Sequence, residues 1–564
     1  MRWQVVIAAL AVVAILAASV YTAIHTTTVL VPDYGGTYIE GVAGNPRYIN
    51  PLLNAYNDVD RDIASLVFNG LTRADEYGQI LPDLADSWDI SRDDLSYTFH
   101  LRDDVRWHDG TPFTADDVVF TIDVLRAPGF QGPPGLAELW RTVQVERFDP
   151  HTVRLTLSEP FAPFLSFTTV GLLPAHLLQD LPVEQLTEHP FNLQPTGTGP
   201  FKVGEVTSQH ALLLANDDYY AGRPLLDQVE IVFYPDYASV LAAYRNELVH
   251  GIGRVPTDRL GRVLDEEDLS VYSTPLAGYG LVFLNLERPI LQEQEVRQAL
   301  LWGLDRQKII DQLLDGQALV ATGPVMPFSW AYEEDVQHYG HNPERAVALL
   351  EGAGWIDADG DGVREKGELR LEFGLLSNDD ATRIQIINEL TRQWAAIGVR
   401  VVPQTAGVSG VVRDFLVPRD FDAVFYEWQR LPTDPDPYPQ WHSTQTQTPG
   451  QNFCRYSNDE ADLIMEQARR TTDTQRRATL YRDLQRILAE EVPALPLYHP
   501  VYSYAVDRAV RDVQVAPMQD GPDRFRTITE WYMVTRRVLV SEAPFWQRTF
   551  GESAAASPIG GSGE

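Results

Sequence analysis

The chain has 564 residues, 44% of them apolar, and 38 prolines, more apolar side chain than one compact core absorbs, so two or three domains are expected. Basic residues number 45 against 79 acidic ones, and the net charge of −34 is spread along the chain; such a surface repels phosphate backbones and anionic lipid, and no nucleic-acid partner is expected. The lone cysteine, Cys454, excludes an internal disulfide and lipid attachment behind a leader, and it reads as a half-buried core residue.

The N-terminus runs apolar over residues 5–24, broken only by Ser19, Tyr21 and Thr22. That length suits a signal peptide or a spanning anchor, and residues 1–30 are assigned to one or the other, with Ala18 and Ala23 as cleavage candidates. Arg2 is the only basic residue before Arg47, which puts everything beyond the segment outside the cytoplasm. The body is predicted to be exported, to the periplasm or to the outer face of the cytoplasmic membrane.

Next, "GGTYIEGV" reads as a strand, and Ile63, Val67 and Leu71 mark a helix by their spacing. In "LSYTFHLRDDVRWHDGTPFTADDVVF", Tyr97, Phe99 and Leu101 alternate as a half-buried strand, "HDG" supplies a turn, and Thr114 with Asp117 forms a capping box ahead of a helix over 118–124. His108 and Asp109 have the residue types of an acid/base pair, but consecutive turn residues point apart and no nucleophile completes a triad. "QPTGTGPFKVGEV" is a glycine-rich bend into a strand, since a phosphate cradle needs a following helix. Strand, loop and helix follow in "VEIVFYPDYASVLAAYRNELVHGI", then a buried strand in "GYGLVFLNL", one helix in "EQEVRQALLWGLDRQKIIDQLL", and another capped by Asn342. Alternating strands and helices continue to the C-terminus, and from Ser541 an Ala, Ser, Gly and Pro-rich stretch is predicted to be disordered.

Residues 357–368, "DADGDGVREKGE", place oxygen ligands at positions one, three, five, nine and twelve (Asp357, Asp359, Asp361, Glu365, Glu368), with Gly362 at six and the Val363 carbonyl at seven. This is the spacing of a calcium loop. A strand follows instead of a helix and no second loop pairs with it, so a structural calcium site and an ion-free turn both remain open; either is a local staple. No other cofactor is called for.

Taken in order, "LPDLADSWDIS…LSYTFHLRDDVRWHDGTPFTADDVVFTID", "GTGPFKV", "VRQALLWGLDRQKII", "NPERAVALLEGAGW" and "W…DPDPY…NFCRYSNDEAD" resemble the family 5 extracellular solute-binding proteins, receptors of ABC importers. The resemblance implies an α/β fold of two lobes around a ligand cleft, closing as a hinge. It implies an N-terminal lobe over 36–275 with an extra subdomain at about 55–190, a C-terminal lobe over 276–500 and a return over 501–540. It implies a monomeric, non-enzymatic receptor that binds a peptide-like or other small organic solute, or an oligosaccharide, and docks on a membrane permease. A calcium-dependent extracellular hydrolase and a membrane-anchored sensor are the rival classes: the first would need a buried nucleophile and base that the residues do not assemble, and the second would need a membrane partner, since residues 1–5 leave almost no cytoplasmic part.

Peptide-binding members carry, three residues after a tryptophan, an aspartate for the peptide ammonium group. Here Trp428 is followed by Gln429, Arg430 and Leu431. An unpaired buried ammonium costs about 3–5 kcal/mol, roughly two to four decades of affinity, so free-amine peptides are disfavoured. Asp434 and Asp436 match the family's "DPD" and are expected to shape the turn. The resemblance places Tyr56, Tyr426, Trp428, Trp441 and Phe453 along the cleft, with Tyr279 on a crossing strand, Asn54 as a polar contact and Arg430 as a candidate for an anionic group.

Overall fold

The computed structural model describes residues 28–539 and positions 3, 7, 10 and 13–16. Among these residues one twelve-stranded sheet runs through both lobes. Its C-terminal half is ordered Arg400–Ala406, Glu372–Asn378, Ala423–Gln429, Gly278–Leu284; its N-terminal half is Gly251–Ile252, Thr37–Ala43, Gln228–Tyr234, His210–Ala215, Phe201–Val206. The long strand Ala494–Asp507 joins them. Its first half pairs with Gly278–Leu284 and Ala318–Val320, and from Val501 onward it pairs with Leu269–Pro275.

Strand Gly278–Leu284 is covered on both faces, which is why it reads as a continuous apolar run. Every residue of Gly278–Leu284 is buried. Gly280 is needed there, since a Cβ would stand 2.8 Å from the Tyr498 ring. The sequence supplies the closest residue where two strands meet at a large side chain.

The N-terminal lobe carries a second, four-stranded antiparallel sheet, ordered Ala85–Ile90, Ser96–Leu101, Thr152–Thr156, Gln144–Asp149. Helix Ala115–Arg126 lies beside it, and its capping box forms as the spacing of Thr114 and Asp117 predicts. The Asp117 carboxylate is buried and also accepts the Trp107 indole N–H at 3.2 Å and the Ala175 N–H at 2.9 Å. One apolar core runs from this sheet into the rest of the lobe, a smaller one of Val240, Leu241, Ile252, Leu260 and Val263 lies apart from it, and the C-terminal lobe has separate cores on the two faces of its sheet.

Arg524, 1% exposed, closes the N-terminal lobe from the returning chain. It donates to Glu40 Oε1 at 2.5 Å and to the two Asp62 oxygens at 2.7 Å, while the Tyr38 hydroxyl donates to Glu40 Oε2 at 2.6 Å. Burial pushes Glu40 above the usual carboxylate range against the pull of Arg524.

One expectation is corrected. The single helix read over 293–314 is two, Gln294–Trp302 and Arg306–Leu313, because the Asp305 side chain caps Lys308 N–H at 2.9 Å and starts a new helix after Gly303. The leader assigned to residues 1–30 overlaps strand Thr28–Asp33, which pairs antiparallel with Val534–Leu539. The four carboxylates of the 357–368 loop come together without Glu368, as described below. The rest of the leader, apart from the seven positions above, and the tail from Ser541 lie outside the described residues, among which no helix is long and apolar enough to cross a membrane.

His108 and Asp109 do point apart. His108 accepts from Gly197 N–H at 3.2 Å and donates to the Gly199 carbonyl at 3.0 Å, while Asp109 meets His176 at 2.7 Å. Burial pushes His108, and likewise His499 on the crossing strand, down to about 4. Unfolded histidine titrates at about 6.5, so between those values the unfolded chain holds more protons and stability falls as pH falls through the window. The stability difference between wild type and His499→Asn is therefore expected to shrink from pH 6.5 to pH 4 in thermal melts; a constant difference counts against a neutral buried His499.

Candidate functional site

Strands Gly278–Leu284 and Ala423–Gln429 pair with Tyr279 opposite Trp428 and Leu281 opposite Tyr426. Period-two alternation sends these four side chains to one face and Glu427 to the other. On that second face Glu427 is bound by Arg383 and by the Tyr498 hydroxyl.

On the first face the aromatic residues form a pile. Trp428 stacks on Phe453 with centroids 6.1 Å apart and planes 18° off parallel, and Tyr426 meets Trp428 edge-on at 6.1 Å. Phe453 in turn stands edge-on to Phe283 at 5.5 Å, with the Arg419 guanidinium 5.5 Å from its ring centroid. The Trp428 indole N–H is buried and meets no acceptor among the described residues.

Beside the pile lies a pocket open to solvent. Tyr279, Met326, Leu431, Thr433, Trp441 and Gln519 are among its walls. Gln519 arrives with the returning chain, so the pocket sits where the lobes meet. Gly78 of the N-terminal lobe approaches here too: its φ is +81°, and a Cβ would stand 2.8 Å from the Thr433 carbonyl oxygen.

The carboxylates of the pocket wall are engaged. Asp434, 9% exposed, accepts from Arg477 Nη1 at 2.7 Å and Nη2 at 2.6 Å. Burial pushes Asp434 up, and Arg477 opposes that rise. Asp436 accepts from Arg469 Nε at 2.9 Å and Nη2 at 2.6 Å, and Arg469 also lies 3.9 Å from the Tyr438 ring centroid. These aspartates tie the loop to helices Asp459–Arg470 and Thr474–Glu491.

Of the residues singled out from sequence, Tyr279 and Trp441 reach the pocket wall, and Tyr426, Trp428 and Phe453 form the adjoining pile. Asn54 and Tyr56 begin and end a 3₁₀ turn of the N-terminal lobe, with Tyr56 77% exposed. Arg430 reaches across to that turn and donates to the Ala55 carbonyl. Met326, Phe328, Ser329, Gln440 and Gln519 were not anticipated. The prolines of "PVMPFSW" mark a loop, but nothing local says that it meets the cleft.

In the loop after helix Pro343–Gly352, Asp357, Asp359, Asp361 and Glu365 bring one oxygen each within 4.8 Å of one another. Glu365 opens a hairpin, Glu365–Lys366 against Leu369–Arg370, and Glu368 stands at its turn, outside the cluster. The carboxylates already accept backbone N–H groups: Asp357 from Gly360 and Gly362, Asp359 from Asp361, Asp361 from Val363, Glu365 from Ala358. The donor set suits calcium in kind but lacks the twelfth-position carboxylate.

Residues 79–450 match the family described as bacterial extracellular solute-binding proteins, family 5 middle. The oligopeptide-binding protein AppA of Bacillus subtilis is 31% identical over 89% of this chain and 92% of its own. The chain belongs to family 5 of the extracellular solute-binding proteins. The family is one of binding proteins, and this member is a solute-binding receptor for ABC import with the family's two-lobed fold. The structure of AppA in complex with a nonapeptide superposes with a TM-score of 0.69 at 30% identity, covering 89% of this chain and 100% of that one. NikZ of Campylobacter jejuni, in complex with Ni(L-His), gives 0.70 at 28% identity over 88% and 99%. The heme-binding protein A of Haemophilus influenzae is 28% identical over 75% of this chain and 79% of its own. Family 5 members at one level of similarity are thus named for chemically unlike solutes, and the pocket has to decide between them.

Proposed function

We propose that this receptor captures peptide-like solutes whose amino end carries no free ammonium group, and hands them to a membrane permease. The observation that carries this is the pocket wall itself: Leu431 is apolar, and Asp434 and Asp436 are each held by an arginine. An ammonium group entering there would be buried without a counter-charge, at about 3–5 kcal/mol. Ser329, Thr433, Gln440 and Gln519 instead offer neutral donors and acceptors. The receptor works as a monomer, tethered to the outer face of the cytoplasmic membrane by its apolar N-terminal segment.

Thermal unfolding against matched peptides with free and acetylated amino ends tests the reading. A ligand at about 100 times its dissociation constant adds about 2.7 kcal/mol, so binding is readily seen. Acetylated peptides are expected to raise the midpoint and their free-amine forms to do so weakly. Leu431→Asp should tighten free-amine peptides by at least about tenfold by restoring a counter-charge. Equal or tighter binding of free-amine peptides to the wild type would overturn the proposal, and shifts with oligosaccharides alone would replace it by a sugar receptor.

A further inference from the structure

We infer that Arg430 is a positioning residue that clasps the two lobes over the bound solute without touching it. The inference rests on the chain's being a solute-binding receptor but on no particular solute.

Arg430 stands between the end of strand Ala423–Gln429 and Leu431 on the pocket wall. Its φ is +57°, a left-handed conformation that is unfavourable for a residue with a Cβ and is kept where surrounding structure demands it. Its N–H donates to the Ala277 carbonyl at 2.9 Å. Held this way, the side chain leaves the C-terminal lobe and gives its Nη1 to the carbonyl of Ala55, 375 positions away in sequence.

The receiving turn is itself braced. Arg61 Nη1 donates to the same Ala55 carbonyl at 3.0 Å, and Arg61 Nε lies 2.6 Å from Asp520 Oδ2. Burial pushes Asp520 up, while Arg61 and, more weakly, the charge of Arg430 draw it back. At another part of the lobe contact, Thr472 donates to Asp94 Oδ1 at 2.8 Å and Ala162 N–H to the Arg469 carbonyl at 2.7 Å. Arg430 is the clasp adjoining the pocket.

A contact made only in the closed state, and not to the solute, raises the affinity for every solute by one common factor, because it changes the closed fraction alone. A contact to an anionic group of the solute raises the affinity for solutes carrying that group. The two roles are separable by experiment.

Full-length wild type, Arg430→Gln and Arg430→Lys are compared by small-angle scattering without solute and by binding and release of two probes, N-acetyl-trialanine and its carboxamide. Both substitutions keep the Cβ, so backbone strain at the position is unchanged. Arg430→Gln is expected to enlarge the radius of gyration, to weaken both probes by the same factor, about three- to tenfold for one charge-assisted bond, and to do so through faster release. Arg430→Lys should recover most of each effect. An unchanged radius of gyration in Arg430→Gln overturns the clasp, and so does a loss confined to the carboxylate probe. The scattering arm needs no solute, so failure of both probes to bind would count against the peptide reading alone.

Discussion

Arg524→Met is expected to destabilise the protein by about 3–5 kcal/mol, the cost of leaving buried charges without their partner. Glu40 is 0% exposed and Asp62 6%, so bulk solvent reaches little of either carboxylate. The loss is also topological: Arg524 sits on the returning chain, Glu40 on strand Thr37–Ala43 and Asp62 on helix Asp58–Val67, so one side chain closes three segments into one lobe. Denaturant melts would check this, with Glu40→Gln/Asp62→Asn/Arg524→Met as the companion variant. Removing all three charges should recover a large part of the loss, since a neutral core site carries no unpaired ion. A single variant within about 1 kcal/mol of wild type, typical of surface pairs, would show that the network is not the closure described.

Asp434→Ala is expected to act on both stability and binding. Arg477, 5% exposed, would lose the carboxylate that meets it in two hydrogen bonds, again at about 3–5 kcal/mol. The loop carrying Leu431 and Thr433 would also lose its tie to helix Thr474–Glu491, and solute affinity should fall by about two decades or more as the wall loses its geometry. Asp434→Ala/Arg477→Met separates the two effects: stability recovers in part and binding does not. Recovery of both would place Asp434 in the fold alone. Asp436→Ala, whose partner Arg469 is 26% exposed, should cost less.

Much of the α/β pattern was legible because it is local. The capping box of Thr114 and Asp117, the alternation of Tyr97, Phe99 and Leu101, and the unbroken apolar run of Gly278–Leu284 each state their structure within a few residues. The helix read over 293–314 went wrong for an equally local reason, since apolar spacing carries across Gly303 while the Asp305 cap restarts the turn. At the site, residue types were legible and partners were not. Trp428 and Trp441 stand out as aromatic residues in the stretch that carries the family resemblance, yet Met326 and Gln519 reach the same pocket from segments with no such mark.

Arg430 and Asp434 illustrate the division most plainly. Composition and periodicity by themselves determined an acidic chain of α/β class, because these are properties of residue types and their spacing; the two-lobed receptor, and the expectation of a carboxylate where Leu431 stands, came from the family resemblance of the quoted motifs. Only the tertiary structure decided that Arg430 meets Ala55, that Asp434 is held by Arg477, and that Glu40, Asp62 and Arg524 share one buried site. Those choices pair groups 43 to 484 positions apart. Local patterning sets which residues are buried or charged, but which buried charge finds which partner depends on how the sheet brings distant segments together, and that is settled by packing of the whole chain.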